Sequence, residues 1–124
     1  SLFRSHNPNY PDGGQLRDFV YVDDVVDIIE FLLQSPVVSG IFNAGSGQAR
    51  SFDDLAKATF AAAGKEASIQ YIDMPEVIRD RYQYFTEARM DRIRAAGFEG
   101  QSTPLEEGVR RYVQDFLSNA DPYR

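Results

Sequence analysis

Between residues 18 and 36 the apolar residues change their period once, and that change limits what the chain can fold into. Asp18-Phe19-Val20-Tyr21-Val22 is β-branched and aromatic, the make-up of a strand. Asp23 stands where a helix N-cap is expected, and Val25, Val26, Ile28, Ile29, Leu32 and Leu33 then recur at helical spacing until Pro36. Strand, cap and strongly apolar helix in such close succession predict a mixed α/β chain. They argue against an all-helical bundle or a β-sandwich.

The remainder repeats the alternation. Leu2-Phe3-Arg4 is a short apolar segment, and Asn7-Pro8-Asn9-Tyr10-Pro11-Asp12-Gly13-Gly14 is dense in turn formers and predicts a loop. Ile41 to Ala44 predicts a short strand running into Gly45-Ser46-Gly47. Ser51 with Asp54 predicts a capping box opening a helix that Gly64 closes. Strands are expected at Ser68 to Ile72 and Tyr82 to Phe85. Met90, Ile93 and Ala96 predict a further helix stopped by Gly97. The last helix is expected to open on Thr103 as cap, Pro104 at the first helical position and Glu106 completing a box. Leu105, Val109, Tyr112, Val113, Phe116 and Leu117 then form one apolar stripe.

At 124 residues the chain suits one domain over 1–124, with about four helices. Strands this few and short make a poor independent sheet, so their expected role is to extend or lean on a sheet elsewhere. The formal charge of −6 disfavours nucleic acid and anionic membrane surfaces as partners. There is no cysteine, which excludes disulfides and thiolate chemistry and leans weakly to the cytoplasm. No segment has the uninterrupted apolar length of a membrane span, and Ser1-Leu2-Phe3-Arg4 lacks the apolar core of a signal peptide. His6 is the sole histidine, so no metal site is expected.

Several residues carry chemistry, each with a plainer alternative. Arg17, just ahead of the strand, has the planar five-donor fork that grips phosphate oxygens, or it pairs with Asp18 or water. Gly45-Ser46-Gly47 brings backbone close to a ligand or forms a simple turn; Gln48, Ala49 and Arg50 follow it, so it is not a dinucleotide-binding G-x-G-x-x-G. Arg79-Asp80-Arg81-Tyr82-Gln83 sets two cations beside a phenol, suited to phosphate and sugar or to a solvated helix end. Arg89, Arg92 and Arg94 read as a solvated helix face. The acid pairs Asp23-Asp24 and Asp53-Asp54 sit at helix starts, where carboxylates suit the dipole better than they suit acid–base work.

Taken together, Arg17-Asp18-Phe19-Val20-Tyr21-Val22-Asp23-Asp24-Val25, Gly40-Ile41-Phe42-Asn43-Ala44-Gly45-Ser46-Gly47 and Ser51-Phe52 resemble the C-terminal half of extended short-chain dehydrogenase/reductases of the NAD-dependent epimerase/dehydratase family. Arg81-Tyr82-Gln83 with Phe85-Thr86, the Met90 to Gly97 helix and the opening Leu2 to His6 are similar to the branch that epimerises C6 of an ADP-linked heptose for the lipopolysaccharide inner core. That resemblance implies an α/β substrate-binding part lacking the N-terminal Rossmann half. It also implies an NADP cofactor for the full-length parent, a cytoplasmic location and a parent homo-oligomer. Carried over residue by residue, it assigns Phe3, Arg4, Ser5 and His6 to the nucleotide side of an ADP-sugar site, and Arg17 and Tyr82 to substrate contacts.

These enzymes use a Tyr-x-x-x-Lys pair with NADP, and that pair is absent. The lysines are Lys57 and Lys65, with Asp53 and Ala61 four residues before them. A glycine-rich loop after an N-terminal strand is absent too. The resemblance therefore implies no catalytic residue, no cofactor-binding residue and no metal ligand in this chain, and no turnover by it alone. The first two motifs do not select the sugar, which leaves open another nucleotide-sugar epimerase or dehydratase. A non-catalytic oligomerisation module, built on the apolar faces, is the reading from a different class. With its partner sheet lacking, the helix from Val25 to Leu33 is expected to expose apolar surface.

Overall fold

The computed structural model describes residues 1–120. Its elements follow the expected alternation: β1 (Leu2–Phe3), β2 (Leu16–Asp18), α1 (Val22–Gln34), β3 (Ala49–Ser51), α2 (Phe52–Ala62), β4 (Tyr71–Ile72), α3 (Glu76–Arg79), α4 (Asp91–Ala95) and α5 (Leu105–Arg111). The last helix continues as a π-helical stretch, Tyr112–Leu117. β1 pairs parallel with β4, Leu2 opposite Tyr71 and Phe3 opposite Ile72. β2 pairs antiparallel with β3, Arg17 opposite Arg50, and Leu16 also bridges to Phe85.

α2 forms as its sequence dictates. The Ser51 hydroxyl accepts from the Asp54 amide at 3.0 Å while the Ser51 amide donates to the Asp54 carboxylate at 3.3 Å, a complete capping box. At its other end Gly64 takes φ of +64°, and the amides of Gly64 and Lys65 donate to the carbonyls of Ala61 and Phe60. That is a Schellman ending.

Several expectations are corrected. The strand expected over Asp18 to Val22 lies earlier, at Leu16–Asp18, because β3 ends opposite Asp18 at Ala49 and leaves Phe19 onward without a ladder partner. Asp23 is not the N-cap: α1 opens at Val22 behind Tyr21, with Asp23 and Asp24 inside the first turn. Nor does α5 use Thr103 and Glu106 as a box. Thr103 gives both its amide and its hydroxyl to the buried Asp24 carboxylate, at 2.8 and 2.6 Å, and Glu106 binds Arg50 at 2.6 Å, so Pro104 caps without a side-chain bond. Ile41 to Ala44 forms no strand; with no neighbouring strand to complete its hydrogen bonds it runs as irregular chain, Ile41 85% exposed. The strands expected at Ser68 to Ile72 and Tyr82 to Phe85 shrink to β4 and to the Phe85 bridge, since β1 is only two residues long.

Ile28, Ala58, Met74, Ile93 and Val113 form the buried core, with Phe19 edge-on to Phe52 and Phe31 against Phe98. Val22, Val26, Ile29 and Leu33 of α1 stand exposed, as their sequence led us to expect.

Candidate functional site

β1 delivers Phe3, and the Arg4 amide prolongs the pairing by donating to the Ile72 carbonyl at 2.8 Å. The turn-rich segment then closes on Asp12, whose carboxylate accepts from the Ser5 amide at 2.7 Å and the Arg4 guanidinium at 3.3 Å. Ser5 also donates its hydroxyl to the Asn7 carbonyl. Gly13 ends the loop at φ +70°, its amide on the Phe3 carbonyl; a Cβ there would lie 2.9 Å from the Tyr71 ring, so only glycine fits. Buried Gln15 donates its side-chain amide to the same Phe3 carbonyl.

Arg17 and Asp18 point apart, as successive strand residues do. The Arg17 guanidinium lies 5.2 Å from the Tyr82 ring centroid and 5.8 Å from that of Phe52, and donates one bond to its neighbour's carbonyl at Leu16. Among the described residues it forms no ion pair. An Arg17–Asp18 pair is thereby ruled out.

Asp18 is a structural clamp. Its carboxylate accepts from the Ser46 amide and hydroxyl, the Gly47 amide and the Ala88 amide, at 2.6 to 3.0 Å. Burial pushes its pKa up, but the bond from Ser46 and those from the three amides outweigh it and hold the carboxyl below its ordinary value. The Ser46 and Gly47 amides of the glycine turn are therefore taken up internally. Gly45 is required by the closeness of this packing, since a Cβ would fall 2.5 Å from that of Ala88 and 2.7 Å from the Asp18 carboxylate.

The structure brings Phe3, Arg17 and Tyr82 into one group, Phe3 edge-on to Tyr82 at 6.3 Å. Ser5 and His6 stand beside it, with the His6 amide donating to the Tyr84 hydroxyl at 3.0 Å. Arg4 is exposed and divides its charge between Asp12 and Asp73. Arg79 leaves the group: it donates to the Met74 carbonyl and faces Glu76 within α3. Two residues without a role in the sequence argument complete the cluster, Tyr84 edge-on to Tyr82 at 5.3 Å and Tyr10 tilted against Tyr84 at 5.4 Å. The period of two in extended chain puts Tyr82 and Tyr84 on one side, which was the available signal.

Tyr71, Asp53 and Lys57 form a second polar group without the character of a proton-transfer pair. The Tyr71 hydroxyl donates to Asp53 at 2.7 Å, and this bond to a carboxylate, with burial, raises the phenol's pKa above its ordinary value. Lys57 is bound to the same carboxylate at 2.6 Å, and that bond raises its own pKa. A base needs the opposite shift. An apolar groove of about 470 Å³ between the Phe19–Val22 segment, α2 and the last helix includes none of Phe3, Arg4, Ser5, His6, Arg17 or Tyr82. Few polar groups converge on it, which suits packing better than a nucleotide.

The signature of the NAD dependent epimerase/dehydratase family matches residues 6–45. The ADP-L-glycero-D-manno-heptose-6-epimerase of Nitratidesulfovibrio vulgaris (strain DP4) is 53% identical over 98% of this chain, which covers 38% of that protein. The protein of the same name from Fusobacterium nucleatum subsp. nucleatum is 49% identical over 98% of this chain and 39% of its own length. That from Thiobacillus denitrificans is 41% identical over 89% and 37%. The chain thus spans less than two-fifths of the length of these relatives. With its short strands and alternating helices, this chain belongs to the NAD dependent epimerase/dehydratase family and has the α/β architecture of a C-terminal part of such an epimerase.

Proposed function

We propose that this chain is the substrate-binding part of a nucleotide-sugar epimerase whose full-length parent inverts C6 of an ADP-linked heptose through transient oxidation by NADP. The observation that carries the reading is Arg17: a guanidinium lodged between two aromatic rings, engaged by one carbonyl and by no carboxylate among the described residues. Its remaining N–H donors suit a diphosphate, which a planar fork grips in a bidentate manner. On this reading Phe3, Arg4, Ser5 and His6 line the nucleotide side, and Tyr82 offers a ring and a hydroxyl for the sugar. The name carried by relatives at 41 to 53% identity supports ADP-heptose over other nucleotide sugars.

On this reading the cofactor is held by another part of the parent. The tight glycine turn gives its amides to Asp18, and no Tyr-x-x-x-Lys occurs. The contribution of these residues is to hold and orient the substrate, an effect worth several kcal/mol in a complete site, on the order of 7 to 11 at its upper end. On this reading the parent is a cytoplasmic homo-oligomer that supplies the sugar of the lipopolysaccharide inner core.

Titration of ADP into the chain tests the site. Arg17→Ala is expected to weaken binding by roughly 10- to 100-fold and Arg17→Lys by less, because a charge-assisted bond is worth about 1.5–3 kcal/mol. UDP and dTDP should bind more weakly than ADP; equal binding would favour a different nucleotide sugar. Turnover of ADP-heptose by the isolated chain with added NADP would overturn the assignment of catalysis to another part. The exposed face of α1 supports a second reading, a non-catalytic oligomerisation module. That reading calls for no nucleotide binding and a concentration-dependent oligomer by light scattering.

A further inference from the structure

Tyr84 is joined to all three arms of the candidate site. Its carbonyl accepts from the Leu16 amide at 2.8 Å, one residue before Arg17. Its hydroxyl accepts from the His6 amide at 3.0 Å across 78 positions of sequence. Its ring stands edge-on to Tyr82 at 5.3 Å, and its face is packed by Tyr10 of the turn-rich loop at 5.4 Å. The strand that carries Arg17 is held a second time by the next segment of the same chain, the Thr86 amide donating to the Leu16 carbonyl at 3.2 Å.

From this geometry we infer that Tyr84 is a positioning residue that sets the Phe3–His6 arm and the Tyr82 ring at a fixed distance from the Arg17 guanidinium. The inference rests on the substrate site proposed above and adds a residue to it that touches no ligand. The physical reason is the shortness of the elements. β1 and β4 are two residues long and the Tyr82–Phe85 stretch makes one bridge, so ladder bonds alone leave these arms with little restraint. A half-buried phenol that pins an amide with its oxygen and braces two rings supplies what the ladders lack. Aromatic contacts and a hydrogen bond of this kind are each worth enough to move an arm's population severalfold.

The test uses this chain with two variants and ADP as probe. Tyr84→Phe removes only the oxygen that receives the His6 amide, and Tyr84→Ala removes the ring while keeping the backbone bond to Leu16. In the unliganded chain, Tyr84→Phe is expected to speed exchange of the His6 amide hydrogen by roughly 3- to 10-fold and to leave amides inside α2 unchanged. ADP should bind roughly 3- to 10-fold more weakly to Tyr84→Phe, and more weakly still to Tyr84→Ala, at temperatures well below either variant's melting. In a Tyr82→Ala background the further loss from Tyr84→Phe should fall below about twofold, because a residue acting through its neighbour is not additive with it. A purely structural role would lower melting and stay additive. Unchanged His6 exchange, or wild-type ADP affinity in Tyr84→Phe, overturns the inference and leaves the substrate site standing. Failure of the unsubstituted chain to bind ADP overturns the site, and this role with it.

Discussion

Helices α1 and α2 are similar in length and both carry many apolar residues, yet they end in different surroundings. α2 opens on its own capping box, buries Ala58 and packs along α5, where Gly108 lets the last helix approach the Tyr21 ring to within 3.3 Å of a would-be Cβ. α1 buries Ile28 and Asp24 on one side and leaves Val22, Val26, Ile29 and Leu33 in solvent on the other, Leu33 at 78%. A helix apolar on both sides is built to be covered on both sides. α2 finds its cover within the described residues, whereas the outer side of α1 does not; on the proposed reading the cofactor-binding part of the parent supplies it.

Ile28 and Ile29 offer the largest test of that contrast, since they are neighbours on the same helix. Ile28→Ala should destabilise by about 2–4 kcal/mol in denaturant melts, the usual range for emptying a buried site. Ile29→Ser should stay within about 0.5 kcal/mol. Equal losses would mean that the outer side is covered after all. Next comes Asp24→Ala, which leaves the Thr103 amide and hydroxyl unpaired and unties α1 from α5, at about 2 kcal/mol. Gly64→Ala should be milder, about 1 kcal/mol by thermal melting: a Cβ there meets nothing within 4 Å, so the loss is one of backbone conformation at positive φ alone.

Acid titration gives the smallest effect, visible only well below neutrality. The Asp18 carboxyl has a folded-state pKa below the ordinary 3.8. Its bonds to Ser46, Gly47 and Ala88 therefore contribute their full stability above pH 3.8, and lose it as pH falls through the lower folded value. Asp18→Asn should flatten that limb of the stability curve. If it leaves the limb unchanged, the Gly45–Gly47 turn is held by something else.

Where the signals were local, the chain was legible. Ser51, Asp54 and Gly64 lie within a turn of the groups they satisfy, and α2 follows from them. Gly97 likewise ends α4 at φ +102°. Expectations failed where a distant group competed. The Thr103 hydroxyl suits a helix cap, but a carboxylate 79 positions away takes it. Ile41 to Ala44 has strand composition and no strand beside it, and a ladder is a property of two segments. The site shows the same division. Phe3, Arg17 and Tyr82 stand out through motifs shared with a family, while Asp12, Tyr10 and Tyr84 gain meaning only once the loop has folded back on the Tyr82 segment.

The bond from the His6 amide to the Tyr84 hydroxyl also sets a timetable. During synthesis at about 5–20 residues per second, roughly 4 to 16 s separate the emergence of its two ends. α2 carries both of its end signals and needs no such wait. Through that interval Phe3 and Tyr10 lack the Tyr82 and Tyr84 rings they pack against, so the nascent chain can complete α2 before the aromatic cluster around Tyr82.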